Sequence, residues 1–180
     1  TINEKIIYAI EPKFDGIGIS LTYEDGLLTK AVTRGDGEVG EVVTENIRTI
    51  KKIPHSLKYN VPKIIELRGE IFFNLNDFRD INKKIETEGG KQFVNPRNAA
   101  AGTLRNLDIT LVKQRPLDIF VYALGGHSDD LVLKSHKDFI DFLTKNHLPV
   151  SDQIKYGDKL VAEATVKNIL SLRDSLNYEI

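Results

Sequence analysis

The chain has 180 residues, is 41% hydrophobic and 28% charged, and carries a net charge of −1 from 25 Lys and Arg against 26 Asp and Glu. That is enough chain and apolar content for one domain with a proper core, and the near-neutral balance means that a polyanion would have to be gripped by a local basic patch. With no cysteine, disulfides, thiolate nucleophiles and cysteine-bound zinc are excluded. No apolar run approaches the roughly 18 to 20 residues that cross a bilayer, and the first residues do not read as a signal peptide, so a soluble, cytoplasmic protein is expected. The chain starts at Thr1 and holds no methionine, which reads as a piece of a longer polypeptide.

In chain order, Ile7 to Ile10 is a short apolar run that suits a strand. Ile17, Ile19, Leu21 and Tyr23 alternate with small or polar residues, Glu24-Asp25-Gly26 makes a turn, and Leu27 to Thr33 returns as the second half of a hairpin. Lys13 then falls on the connection between two strands, beside Gly16 and Gly18. Ile64 to Phe73 predicts a third strand, with Ile65, Leu67, Ile71 and Phe73 on one face and Glu66, Arg68 and Glu70 on the other. A helix follows, with Phe78, Ile81 and Ile85 inward, Asn74 or Asn76 as its cap and Gly89-Gly90 as its stop.

Asn95 as cap, Pro96 at the first helical position and the alanines after it predict a short helix. Asp118 to Leu124 is a more continuously apolar strand, expected to be buried on both sides. Ser135, with Asp138 three residues on, starts a helix that buries Phe139, Phe142 and Leu143 before Pro149. The last helix is expected from about Asp158 to Leu176, with Leu160, Ala164, Ile169 and Leu172 inward. Strands and helices in this order argue an α+β fold, and residues 1–180 read as a single domain.

Four segments can carry chemistry. Lys13-Phe14-Asp15-Gly16 offers an amine nucleophile and a carboxylate on one side of an extended segment, with a glycine permitting close approach. A solvated Lys and Asp at a hairpin entry would look the same, and chance supplies the pattern in about one chain in 25 of this size. Thr33 to Gly40 has glycines at 35, 37 and 40. It is either a plain turn or a place where backbone nears a nucleotide and Arg34 reaches ribose or phosphate. The Glu66, Arg68, Glu70 face either meets solvent or lines a cleft, where Glu70 could accept from ribose hydroxyls. On Asn95 to Arg105, Arg97 and Arg105 lie about 80° apart around the helix, so both can address one surface, and a phosphate near the helix N-terminus is the natural guest. Tyr122 either stacks on a base or is core. His55, His127, His136 and His147 lack metal-ligand spacing and are given no role.

Glu11 to Gly16, Thr33 to Gly40 with Thr44 to Ile50, Leu67 to Glu70, and Asn95 to Arg105, in this order and at these separations, resemble the adenylation domain of bacterial NAD-dependent DNA ligases. The resemblance runs from about Ile7 to Tyr178, and the Asn-Pro-Arg-Asn-Ala-Ala-Ala-Gly stretch separates the NAD type from ATP-dependent ligases and capping enzymes, which share Lys-x-Asp-Gly. It implies an α+β nucleotidyltransferase fold of ATP-grasp-like type, with antiparallel sheets packed against helices. It also implies that Lys13 becomes adenylylated from NAD and that the AMP passes to the 5′-phosphate of a nick in double-stranded DNA, with Mg²⁺ as cofactor.

Carried over residue by residue, the resemblance implies that Lys13 and Asp15 are catalytic, Asp15 lying near the lysine and Mg²⁺. Glu11 would contact adenine, Arg34 and Glu70 the ribose or phosphate region, Tyr122 the base face, and Arg97 and Arg105 the nick phosphate; no side chain is assigned as a resident metal ligand. The alternatives are an ATP-using ligase or capping enzyme, and a non-catalytic nucleotide-binding relative. The family continues past a Tyr-Glu-Ile segment, matched by Tyr178-Glu179-Ile180, into strands that supply further lysines. It also has an N-terminal nicotinamide-recognition domain and oligomer-binding-fold, zinc, helix-hairpin-helix and BRCT regions. All of these are expected to lie outside the 180 residues, which by themselves should be a weak or inactive monomer. Val42 and Ile109-Thr110 depart from the family pattern, away from the reacting centre.

Overall fold

A computed structural model describes residues 6–35 and 39–180. Asp36, Gly37 and Glu38, the middle of the glycine-rich stretch, lie outside the described residues. The main sheet has four antiparallel strands in the order β3-β2-β4-β5: β2 is Ile17–Glu24, β3 Leu27–Thr33, β4 Ile64–Phe73 and β5 Leu117–His127. Asp25 and Gly26 both take positive φ, 46° and 80°, which makes the two-residue turn whose twist suits a β-hairpin. β1, Tyr8–Ile10, instead pairs antiparallel with β6, Lys155–Gly157, in a separate two-stranded sheet.

Alternation in β2 and β4 puts Ile19, Leu21, Tyr23, Ile65, Leu67 and Ile71 on one face, all buried. Three short helices lie among the elements that cover this core: α1 (Thr44–Ile47), α3 (Pro96–Leu104) and α4 (Ile109–Gln114). Ala99, Ala100 and Leu104 of α3 and Val112 of α4 join the same core, where small alanines let the helix approach β4 closely. The core extends to Phe139, Phe142 and Leu143 of α5, His136–Lys145. The buried Asn146 after α5 accepts from the backbone N–H of Lys58 and Tyr59 and donates to the Tyr59 carbonyl, tying the segment after β3 to this helix.

The Asn95 and Ser135 caps are as the sequence predicts: Asn95 Oδ1 accepts from Asn98 N at 2.7 Å, and Ser135 Oγ from Asp138 N at 3.1 Å. The cap of α2, Leu75–Thr87, differs. Asn74 turns its side chain to Asp77 and Asp118, and the first N–H groups of the helix are met by Asn177, whose carbonyl accepts from Leu75 N at 2.9 Å and whose side chain accepts from Asn76 N at 3.3 Å. Phe78, Ile81 and Ile85 do form its half-buried face.

Two expectations need correction. The last helix, α6, runs Lys159–Leu172 and gives way to a 3₁₀ turn at Arg173–Ser175, and only Ile169 of the four expected inward residues is buried; Leu160, Ala164 and Leu172 are exposed. The reason is its partner: α6 lies against β1 and β6, too small a surface to cover a full helical stripe. β5 is the outermost strand next to β4, and burial on both faces holds only for Leu117 to Ile119. Outside it, Val121 N donates to Pro149 O, so the edge is partly capped by the segment after α5.

Candidate active site

The second face of the main sheet carries the site. Gly18 stands opposite Glu70, and Glu70 opposite Phe120, so their side-chain positions share the face away from Leu67 and Ile71. Arg68 pairs with Ala123 and Gly69 with Val121, which leaves Tyr122 as the extra residue of a β-bulge. A bulge re-aims its side chain, and here the half-buried phenol comes within the fields of Glu70, Arg34 and Arg68. Burial first, and then the Glu70 charge, push the Tyr122 phenol above its ordinary range.

Two glycines permit close approach. A Cβ on Gly16 would lie 2.1 Å from the Ile71 carbonyl oxygen, so the chain can enter β2 against β4 only without one. A Cβ on Gly18 would meet Cβ and Cδ of Arg34 at 3.2 and 3.4 Å: the arginine stem lies across this glycine, anchored by Arg34 N donating to Gly18 O at 2.8 Å. Arg34 is thereby brought to the face that carries Glu70.

Lys13 is exposed between Pro12 and Phe14, which are both buried. Phe14 is gripped by Phe72, Phe120 and Tyr178, with ring centroids 6.1, 4.5 and 5.4 Å away. Asp15 N donates to Glu179 O at 3.0 Å and Gly16 N to Glu70 Oε1 at 3.2 Å. The backbone around Lys13 is therefore held by an aromatic anchor and two hydrogen bonds while the amine stays accessible, the arrangement expected of a reactive group on a loop over a rigid scaffold.

A cleft of about 930 Å³ opens at this face, a size suited to a nucleotide. Glu11, Lys13, Arg34, Glu70, Arg97, Arg105 and Tyr122 all line it, so residues from five separate segments converge. Asp15 flanks it, its carboxylate 2.8 Å from the Arg97 guanidinium. Arg105 stands 3.6 Å from Glu41 and donates to the Ala101 carbonyl, beside Asn98 in the same lining. Burial raises the Glu70 carboxyl above the ordinary glutamate range, opposed by the Gly16 N–H, Arg97 and Lys13. Burial raises Glu11 as well, against the pull of His136.

Sequence reasoning missed three features. The Phe14–Phe72–Phe120–Tyr178 cluster had a signal: Phe72 and Phe120 stand two residues from Glu70 and Tyr122, hence on the same face. Glu41 stands one residue past the Thr33 to Gly40 segment, just beyond the stretch whose spacing drew attention. His136, whose Nε2 stands 2.8 Å from Glu11 Oε1, had none, because nothing in the spacing links it to Glu11.

Among the described residues no group of three or more His, Asp or Glu is placed to hold a metal ion. Mg²⁺ is usually held by one or two carboxylates together with substrate phosphates, and Asp15 and Glu70 near Lys13 fit that kind of site.

A lysine presented in a nucleotide-sized cleft among carboxylates, arginines and a tyrosine is the layout of an α+β adenylation domain. The family model for the NAD-dependent DNA ligase adenylation domain matches residues 1–180, and the chain belongs to that family. A protein named DNA ligase from Thermodesulfovibrio yellowstonii is 41% identical over 181 residues, which cover 98% of this chain and 27% of that relative. The chain thus spans about a quarter of the relative's length.

Proposed function

We propose that Lys13 is the nucleophile of NAD-dependent DNA ligation. Deprotonated Lys13 attacks the α-phosphorus of NAD; an Nζ–P bond forms, the bond from that phosphorus to the bridging oxygen breaks, and nicotinamide mononucleotide leaves with the electron pair. The lysyl-AMP then gives its AMP to the 5′-phosphate of a nick in double-stranded DNA, and attack by the 3′-hydroxyl releases AMP and seals the strand. The observation that supports this most is the exposed Lys13 on a pinned loop in a cleft shared by Glu11, Arg34, Glu70, Arg97, Arg105 and Tyr122.

Each role follows from chemistry already described. Tyr122 offers a ring for the base to stack on, and Glu11 an acceptor for its amino group. Glu70 accepts from ribose hydroxyls; Arg34, lying over Gly18, meets ribose or phosphate. Asp15 and Glu70 would hold Mg²⁺, which supplies charge neutralisation at the phosphates. Asp15 also keeps Arg97 in place, and Arg97 with Arg105 supplies cations for the nick phosphate. Nick sealing, the ATP-grasp-like kinship and a cytoplasmic setting belong to this reading; among the described residues no helix is long and apolar enough to cross a membrane.

The test is intact-mass spectrometry of the ligase polypeptide carrying this domain after incubation with NAD and Mg²⁺, in parallel with ATP. An acid-labile, AMP-sized gain on Lys13 from NAD alone is expected. A Lys13→Ala variant that still acquires AMP would sink the assignment.

A further inference from the structure

Glu11 is held by elements that meet only in the folded chain. β1 and β6 run antiparallel with Ala9 opposite Tyr156 and Ile10 opposite Lys155, so Glu11 leaves β1 close to Tyr156. From α5 comes His136, with Nε2 2.8 Å from Glu11 Oε1 and Nδ1 2.8 Å from the Tyr156 hydroxyl. The imidazole also lies near the Tyr156 and Phe139 rings, with centroids 5.8 and 6.2 Å away. Both ring nitrogens are thereby engaged and the imidazole has one orientation.

The two ends of this contact differ in rigidity. α5 is capped by Ser135 and buries Phe139, Phe142 and Leu143 in the main core. Glu11 follows a three-residue strand in a two-stranded sheet, the kind of element that is marginal by itself. A carboxylate on such an element has several rotamers open to it, and a neighbour fixed to the core selects one. The contact is also largely sheltered, with 33% of the His136 side chain and 23% of the Glu11 side chain exposed, so it is stronger than an open surface pair.

We infer that His136 is a positioning residue for Glu11: by engaging Oε1 it aims the carboxylate into the cleft, and so sets a preference for a purine with a 6-amino group over one with a 6-oxo group. The inference rests on the proposed reading that Glu11 meets the base. A carboxylate only accepts; it pairs with a 6-amino donor and opposes a 6-oxo acceptor, but it discriminates only if it is held in place.

The probes are AMP and IMP, titrated into the chain and followed by NMR chemical shifts, with a circular-dichroism melt for each variant. The unaltered chain should prefer AMP by about tenfold or more, the range of a hydrogen bond to a charged group. His136→Ala should cut that preference to about threefold or less, whereas His136→Gln, whose amide can still reach Glu11, should keep most of it. Tyr156→Phe, which removes only the hydroxyl that holds Nδ1, should fall between, and it decides the matter if His136→Ala does not fold. If Glu11→Ala abolishes the preference while His136→Ala, or Tyr156→Phe in its place, leaves it intact, the positioning role is overturned and the reading of Glu11 survives. If Glu11→Ala leaves the preference intact, or the unaltered chain has none, both fall.

Discussion

The two faces of the four-stranded sheet are built from the same strands by opposite rules. On the face of Leu21, Leu67 and Ile71, side chains are fully buried and interchangeable within limits of shape. On the face of Glu70, Phe120 and Tyr122, a carboxylate is half-buried at a cost to its ionised form, an arginine lies over a glycine, and a bulge turns a tyrosine toward charges. One face stabilises the molecule, and the other is held in a state it would not choose by itself. Substitutions at neighbouring positions of one strand should therefore separate stability from nucleotide binding.

The largest expected loss of stability is on the packed face. Leu67→Ala should cost about 2–5 kcal/mol, read as a lower urea midpoint at unchanged slope. Gly16→Ala comes next, at about 1–3 kcal/mol, because its Cβ would press on the Ile71 carbonyl. It should also move Asp15 and Lys13 and so depress AMP transfer more than Leu67→Ala does. Asp15→Asn breaks the pair with Arg97, and since both side chains are well exposed the cost should be about 1 kcal/mol or less. A double-mutant cycle with Arg97→Ala measures the pair directly.

Smallest of all, Glu70→Gln should cost no stability at neutral pH. The sign follows from the raised folded value of Glu70: its protonated form contributes stability that is complete below the ordinary glutamate range and is lost as pH rises through the elevated value. Glutamine keeps an oxygen for the Gly16 N–H and drops the charge, so this loss should be missing from its urea midpoints above that range. AMP affinity should nevertheless fall about tenfold. A Glu70→Gln variant that is clearly less stable than the unaltered chain at neutral pH would erase the contrast between the faces.

The same contrast governs how far the sequence could be read. The β2–β3 hairpin and both faces of β4 were legible because a period of two and an Asp-Gly turn are local signals. Glu11, Lys13, Arg34, Glu70, Arg97, Arg105 and Tyr122 were legible as a set through family resemblance, although spacing could not show that they share one cleft. The short helices α1 and α4 and the three-residue β6 were missed, being too brief for any period to show. α6 was misread because its apolar residues suggest a stripe, while burial depends on how large a surface the partner offers.

The strand alternation, the capped helices α3 and α5 and the lysine motif can be read along the chain, since each depends on residues a few positions apart. It takes the folded chain to see that Asn177 caps α2, that Tyr178 closes the aromatic anchor around Phe14, and that His136 stands against Glu11. Those contacts join segments far apart in the chain, and they exist because burying the common core brings their backbones together. No local propensity encodes such a pairing.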